Sequence, residues 1–218
     1  MAGYRLLSQK DAEELVRILN GAYKDSHYYL AFKTPIDLLV AAVMSAQTRD
    51  EVVNKITPAL FSKYHTAKDY ASADEEELIK CIKSVSFAGN KAKNIISTCR
   101  ILVERYGGKV PNRMDELVEL PGIGRKTANT ILINAYGIVE GIPVDTWVIK
   151  LSYRLGLSQN KDPDKIESDL KERIPKAYWS KIAYVMKNHG RAICQSIPYC
   201  GKCPVKDICP KNDVTTRY

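Results

Sequence analysis

The amino-acid sequence predicts an all-α protein, and three observations support this fold class. Apolar residues recur about one helical turn apart in one segment of the chain after another. Many of these segments begin with Ser, Thr or Asp, or carry proline in the first turn, and several end at glycine, as helices commonly do. No segment alternates apolar and polar residues in the manner of a half-buried strand.

The composition limits what the chain can be. Its 218 residues are 45% hydrophobic, which is enough for one large domain or two smaller ones. The formal net charge is +8 and the pI is about 9.1, which favours a polyanionic partner, nucleic acid first. The chain starts without the apolar core of a signal peptide, and it has no apolar run of membrane-spanning length. We therefore expect an intracellular protein that does not bind membranes.

The first two helices have clear start signals. Ser8 can cap a helix whose apolar face lies within residues 12–23. Thr34 and Pro35 open a second helix, which is apolar on nearly every side through residue 46 and is therefore predicted to be the central buried helix. Behind it comes a polar cluster that begins at Gln47 and ends at Asp50. This cluster would be exposed in a cleft, or it would be an ordinary cap in which Asp50 caps the next helix.

The middle of the chain continues the helical pattern. Residues 50–64 form an amphipathic segment, and residues 69–82 are mixed and acidic. A turn over residues 86–90 precedes a strong helix from Lys91 to Tyr106, which ends at two glycines. Phe87 lies in that turn, where a large apolar residue is unusual, although packing of the loop onto the core is the commoner reason. Cys81 and Cys99 fall within these helices and are interpreted as buried hydrophobic residues.

A glycine-containing turn joins helical segments 113–119 and 127–136. Pro121 breaks the helix, and Gly122 and Gly124 permit positive φ angles and close approach of another backbone. The N–H groups of such a turn, with the start of the next helix, suit a phosphate, and Arg125 and Lys126 add positive charge. Lys126 would sit near the positive helix end, where an amine loses its proton more easily and can act as a nucleophile. The simpler interpretation is that both side chains only contact phosphate.

Three helices follow this hairpin. Asp145 fits the N-cap of a helix over residues 146–155, and capping alone accounts for most aspartates in such positions. Gly156 stops that helix, Asp162 and Pro163 start another, and residues 178–189 form the last.

The end of the chain carries a cysteine cluster, Cys-x5-Cys-x2-Cys-x5-Cys, formed by Cys194, Cys200, Cys203 and Cys209. Four thiols in so short a span of an intracellular chain indicate a metal site. The single central Cys-x2-Cys favours a compact [4Fe-4S] cluster over zinc, with disulfides a distant third. Lys202 and Lys206 lie among the ligands, where they would contact phosphates or simply balance the charge of the cluster.

Taken together, these residues resemble the endonuclease III family of helix-hairpin-helix DNA glycosylases over almost the whole chain. The motifs that carry the resemblance are Ser45-Ala46-Gln47, Asn90 to Ile95, Leu120 to Asn129, Val144-Asp145-Thr146 and the four cysteines. Three features depart from the family pattern: the first cysteine gap is five residues rather than six, Trp147 stands where histidine is common, and Ser86-Phe87-Ala88 differs from the usual intercalating loop.

The resemblance implies a two-lobed, all-α fold. A six-helix barrel with the hairpin would cover residues 27–137, and residues 1–26 would join residues 138–218 in a second lobe with a C-terminal [4Fe-4S] cluster. The expected partner is double-stranded DNA that contains a damaged base or an abasic site. It would bind across both lobes of a monomer, with the damaged base flipped into the cleft between them.

The resemblance also implies a bifunctional DNA glycosylase/AP lyase of base excision repair. Lys126 would be the nucleophile that forms a Schiff base with the sugar, and Asp145 would assist its deprotonation and stabilise charge on the sugar. Gly122 and Gly124 would bind phosphate through backbone amides, and Gln47 and Phe87 would fill the gap left by the flipped base. Oxidised pyrimidines are the expected substrates, with mismatched thymine or uracil next and 8-oxoguanine as a further alternative.

Two alternatives from other functional classes remain open at this point. The chain could be a helix-hairpin-helix DNA-binding protein without catalysis, or a zinc-stabilised nucleic-acid binder. Neither explains why Lys126 and Asp145 both occupy positions that are catalytic in the family.

Overall fold

The computed structural model describes residues 4–218, and within this range the chain contains α-helices, short 3₁₀ turns and loops but no β-strand. The predicted all-α fold class is therefore confirmed. The α-helices are α1 (Gln9–Ala22), α2 (Pro35–Ser45), α3 (Asp50–Lys63), α4 (Ala67–Ala71), α5 (Glu75–Ile82), α6 (Ala88–Tyr106), α7 (Met114–Val118), α8 (Arg125–Tyr136), α9 (Thr146–Arg154), α10 (Pro163–Arg173) and α11 (Ile182–Ala192).

The chain divides into two compact units. One combines Val139–Tyr218 with the described part of Met1–Tyr28, and the other is Tyr29–Ile138. Across residues 4–218, no helix is both long and apolar enough to cross a bilayer.

Helix α2 is the centre of the unit Tyr29–Ile138. Thr34 caps it in a reciprocal capping box with Asp37, and every residue from Ile36 to Met44 is buried. The helix packs against α3, α6 and α8, while α4 and α5 pack on α6. Each fully buried Leu, Val or Met side chain in α2 contributes about 1.5–3 kcal/mol relative to exposure, which explains why the predicted central helix holds this position.

Some helix boundaries differ from those predicted, and the reasons are local. The N-cap of α3 is Arg49, which makes no side-chain cap, and Asp50 is the first helical residue, so the prediction that Asp50 caps this helix was wrong. The acidic segment 69–82 contributes to two short helices because Thr66 and Asp74 each cap a new start. Helix α6 begins three residues earlier than predicted, after Phe87 takes a left-handed conformation.

The other unit is built from α1, α9, α10 and α11. Ser8 caps α1 as predicted, since its side chain accepts a hydrogen bond from the Asp11 N–H at 3.1 Å. Helix α9 packs on α10 and α11, and α1 packs on the same two helices. The last helix starts at Ile182 rather than at residue 178, because a separate 3₁₀ turn occupies Lys176–Tyr178. The chain after α11 is loop apart from a 3₁₀ turn at Cys200–Lys202.

Candidate functional site

Two polar side chains of α6 hold the turn between α7 and α8. Gly122 adopts φ +79°, and a Cβ added there would lie 2.9 Å from Asn94 Nδ2 and 3.2 Å from Asn94 Cβ. The Thr98 hydroxyl donates a hydrogen bond to the carbonyl oxygen of Pro121 at 2.9 Å. Only glycine can adopt the left-handed φ and also accept this close contact with Asn94. The contacts with α6 therefore hold the turn in one conformation.

Gly124 plays a different part in the same turn. It is the N-cap of α8 with φ −92° and ψ 175°, an ordinary extended conformation, and a Cβ added there would meet nothing within 4 Å. This glycine therefore does not use the positive φ angle that its residue type permits. Because glycine has no side-chain acceptor, α8 begins without a side-chain cap, and the N-terminal turn keeps its anion-attracting character.

Lys126 is the second residue of α8, directly after Arg125, and both residues are exposed. The first turn of this helix contains no acidic residue. Two cations therefore stand at the positive end of the helix dipole. This placement favours a negatively charged ligand at the turn.

Asp145 caps α9 in the other unit. One of its carboxylate oxygens, Oδ1, accepts the N–H groups of Trp147 and Val148, both at 2.9 Å. The residue is half-buried. The predicted capping role is thus confirmed, and it also restrains the carboxylate in one orientation on a helix N-terminus.

The turns that carry Gln47 and Phe87 lie side by side. The Ser86 hydroxyl donates to the Gln47 carbonyl oxygen at 2.9 Å, and the Ser86 N–H donates to Thr48 Oγ1 at 3.1 Å. Phe87 is 64% exposed, so the commoner explanation, packing of this loop onto the core, was wrong. Gln47 is exposed as well. An aromatic and an amide side chain therefore project into solvent from adjacent turns.

The four C-terminal cysteines line one cavity together with Arg154, His189 and Lys206. Arg154 is buried and donates to the carbonyl oxygens of Cys194 at 3.4 Å, Gln195 at 2.5 Å and Ser196 at 3.1 Å. This guanidinium thus fixes the loop that carries the first cysteine. Burial raises the pKa of the Cys209 thiol to about 11, so a thiolate at this position calls for a positively charged centre.

The cysteines of the described chain are neither paired with each other nor grouped around a single ion. In the described range 4–218, no three His, Cys, Asp or Glu side chains are grouped so that they could hold one metal ion. None of the described cysteines forms a disulfide. Lys202 and Lys206 are both exposed on this loop.

Sequence reasoning missed the residues that support these features. Arg154 and Lys91 are long cations on helices that otherwise present apolar residues to the interior, and both are buried. Thr98 is buried in the same way and supports the hairpin turn. In the sequence, Arg154 and Thr98 were visible only as polar residues within predicted helices, and Lys91 lay within the motif Asn90 to Ile95. Neither signal identifies the group that the side chain binds.

Comparisons with known proteins place the chain in a family. A family model described as HhH-GPD superfamily base excision DNA repair protein matches residues 40–176, a range that includes the hairpin turn, Lys126 and Asp145. Endonuclease III of Synechocystis sp. is 46% identical over 208 residues, which cover 94% of this chain and 95% of the relative. The chain belongs to the endonuclease III family. The match extends over nearly the whole length of both proteins.

Two further relatives support this family assignment. Endonuclease III of Bacillus subtilis is 39% identical over 206 residues, which cover 94% of each protein. A solved structure of a trapped endonuclease III–DNA covalent intermediate matches with a TM-score of 0.90 and 38% identity, and it covers 94% of this chain and 97% of that chain. The fold described above is therefore the fold of the family.

Proposed function

We propose that this protein is a bifunctional DNA glycosylase/AP lyase of base excision repair that removes damaged, chiefly oxidised, pyrimidines and then nicks the strand. One observation carries the proposal. Lys126 is exposed at the start of α8, directly behind the hairpin turn, and that helix start has neither a side-chain cap nor an acidic residue. The chain is 38% identical, over 94% of its length, to a protein that has been trapped as a covalent intermediate with DNA.

Lys126 is the proposed nucleophile. Its deprotonated amine attacks C1′ of the damaged nucleoside, and the electron pair of the C1′–N bond leaves with the base, which takes up a proton. The new amine loses a proton, and the C1′–O4′ bond then breaks as O4′ takes up a proton, which opens the sugar ring and gives a protonated Schiff base between Lys126 and C1′. Loss of a proton from C2′ then expels the 3′ phosphate and breaks the strand on the 3′ side of the lesion. Water finally releases the sugar from the lysine.

Asp145 is the proposed electrostatic partner in this reaction. It accepts a proton in the activation of Lys126 and stabilises the positive charge that develops on the sugar. Its capping bonds to Trp147 and Val148 both use Oδ1. A carboxylate held by its own backbone in this way needs little reorganisation during the reaction.

The remaining residues are proposed to bind DNA. The backbone amides at Gly122 and Gly124, with the side chain of Arg125, would bind a backbone phosphate at the start of α8. Gln47 and Phe87 would occupy the space that the flipped nucleotide leaves in the base stack. Lys202 and Lys206 would contact phosphates near the cysteine loop. The partner in each case is double-stranded DNA, which the protein binds as a monomer.

We further propose that Cys194, Cys200, Cys203 and Cys209 hold a [4Fe-4S] cluster. The donor set fits, because four thiols line one cavity with a buried guanidinium and two lysines, Lys206 and Lys211, that offset the negative charge of an iron–thiolate centre. When bound, the cluster would crosslink the loop and stiffen it. The chain's own contribution is to present Lys202 and Lys206 on that loop.

We also propose that the barrel expected over residues 27–137 is the unit Tyr29–Ile138.

Borohydride trapping tests the proposed reaction. The wild-type protein is incubated with duplexes that carry an oxidised pyrimidine, a preformed abasic site or a T·G mismatch, and the covalent complexes are counted. We expect trapping with the first two duplexes and none with Lys126→Ala. Asp145→Asn should lower the rate by at least ~100-fold. Lys93→Ala is the matched control, because Lys93 is an exposed lysine that lies 3.8 Å from the Glu75 carboxylate and outside the hairpin turn.

Each other result selects a different function. Trapping at the abasic site without removal of the oxidised base would mean a lyase with another base preference, and the T·G duplex would then identify the mismatch alternative. DNA binding without trapping on any duplex would reject the enzyme and leave a DNA-binding protein. Iron analysis and a visible charge-transfer absorbance separate the cluster from zinc.

A further inference from the structure

Lys91 is a buried cation that the proposed reaction does not use. The residue is 5% exposed, and it is the only lysine among the described residues that is buried. Its ammonium group donates to the carbonyl oxygens of Met44 at 2.7 Å and Ala46 at 2.5 Å, and to Thr48 Oγ1 at 3.0 Å. Three N–H donors thus have three acceptors, so the cost of burying this charge is offset by hydrogen bonds.

The acceptors show what this lysine holds in place. Met44 belongs to the last turn of α2, and Ala46 and Thr48 lie in the turn that follows. The end of a helix has unpaired carbonyl groups and a partial negative charge, both of which a cation stabilises. Lys91 itself is on α6, so it joins α6 to the turn that contains Gln47.

The same network reaches the turn that contains Phe87. Thr48 Oγ1, which accepts from Lys91, also accepts the N–H of Ser86 at 3.1 Å. The Ser86 hydroxyl in turn donates to the Gln47 carbonyl oxygen at 2.9 Å. Lys91, Thr48 and Ser86 therefore connect the α2–α3 turn with the α5–α6 turn in one continuous set of hydrogen bonds.

Both turns contain a strained residue at the position that would enter DNA. Gln47 has φ +53° and Phe87 has φ +57°, in the left-handed region that residues other than glycine rarely adopt. Such conformations persist only where the surrounding contacts hold them, and they concentrate at functional positions. Here the surrounding contacts are those of Lys91, Thr48 and Ser86.

We propose that Lys91 is a positioning residue that locks the two turns into one preformed wedge, with Gln47 and Phe87 held in the conformation that enters the base stack. The inference rests on the proposed function, since it assigns the wedge to a DNA glycosylase. A wedge that is ordered before binding avoids the entropy loss of ordering two loops on the DNA. Removal of the network should therefore slow the step in which the base leaves the stack.

The test separates extrusion of a base from the chemistry that follows. Lys91→Met removes the ammonium group and keeps the length of the side chain, and Lys93→Met on the exposed side of α6 is its control. Thr48→Val removes the shared hydroxyl while Thr48→Ser keeps it. Each variant is measured for single-turnover removal of an oxidised pyrimidine and for nicking at a preformed abasic site, where no base has to be displaced.

We expect Lys91→Met and Thr48→Val to slow base removal by at least ~10-fold more than they slow nicking, and Thr48→Ser to resemble the wild type. A 2-aminopurine placed opposite an uncleavable abasic analogue should become more fluorescent when the wild-type protein binds, because the wedge unstacks it. Lys91→Met and Thr48→Val should lose this increase. In the background of the double variant Gln47→Ala/Phe87→Ala, Lys91→Met should have little further effect, since it acts through those two residues.

Several results would overturn the inference. These are equal losses in base removal and nicking, unchanged kinetics in Lys91→Met, or an undiminished effect of Lys91→Met in the Gln47→Ala/Phe87→Ala background. If Lys91→Met fails to fold, Ser86→Ala serves instead, because Ser86 is exposed and its hydroxyl bonds to Gln47. Inactivity of the wild-type protein on both substrates would be a different result, which rejects the proposed function and with it this inference.

Discussion

Replacing Gly122 by alanine should destabilise the protein far more than the same change at Gly124, two residues later. An alanine at residue 122 must adopt φ +79°, a left-handed conformation that costs roughly 1–2 kcal/mol outside glycine. Its Cβ would also lie 3.2 Å from the Cβ of Asn94, which is attached to the α6 backbone and cannot swing away. Overpacking of this kind adds roughly 1–3 kcal/mol. The expected total is about 2–5 kcal/mol.

Gly124→Ala is the internal control for this estimate. Residue 124 has φ −92°, and a Cβ there would meet nothing within 4 Å. Alanine is a somewhat poorer N-cap than glycine, so we expect a loss below about 1 kcal/mol. If the backbone amides of the turn bind a phosphate, however, the added methyl group lies where the DNA approaches. Affinity for an uncleavable abasic duplex should then fall at least ~10-fold with the fold intact.

Thermal unfolding followed by circular dichroism measures the difference. For a chain of this length, about 2–5 kcal/mol corresponds to a Tm decrease of about 4–20 °C. Both tryptophans, Trp147 and Trp179, lie in the unit with Val139–Tyr218, so their fluorescence reports on that unit while circular dichroism reports on all helices. An unchanged Tm for Gly122→Ala, or equal decreases for the two variants, would refute the reasoning from φ and contact distance.

Three further predictions follow from contacts in the other unit. A Cβ at Gly190 would lie 2.2 Å from the ring of Trp147, so Gly190→Ala should lower the free energy of unfolding by roughly 1–3 kcal/mol. Adding Trp147→His to this variant should restore most of the lost stability, as measured by urea titration. Arg154→Met should release iron faster, seen as loss of visible absorbance on dialysis, because three loop carbonyls lose their donor. Asp145→Asn should keep the Tm of the wild type, since asparagine caps as well as aspartate, whereas Asp145→Ala should lower the free energy of unfolding by about 1 kcal/mol. Equal Tm values for these two variants would contradict the capping geometry.

Local signals in the sequence predicted the helices well where a cap and an apolar face agree. Ser8 and Thr34 carry their own helix starts, because a side-chain oxygen three residues before a backbone N–H needs no tertiary partner. The continuous apolar run of α2 predicted that this helix is buried, because a helix that is apolar on every side has no face that favours water. The assignment of Lys126 and Asp145 to catalysis stays a prediction until the trapping experiment is done.

The errors occurred where two local preferences compete. Asp50 has the chemistry of a cap, but Arg49 takes that position and Asp50 enters the first turn, where a negative charge is also favourable. Gly124 is a residue type that permits a left-handed turn, yet it is extended, because Gly122 alone makes the reversal. The sequence left two interpretations of Phe87 open, and its exposure at a left-handed position excludes packing onto the core.

The sequence by itself determined the all-α class, the order of helices, the hairpin turn and the family, because these depend on patterns within about ten residues or on motifs in a fixed order. Only the tertiary structure decided what supports those motifs. Lys91 reaches the turn after α2, Asn94 and Thr98 support the hairpin, and Arg154 holds the cysteine loop. Each support joins residues more than twenty positions apart, and a buried polar side chain shows its partner only when packing brings the two together.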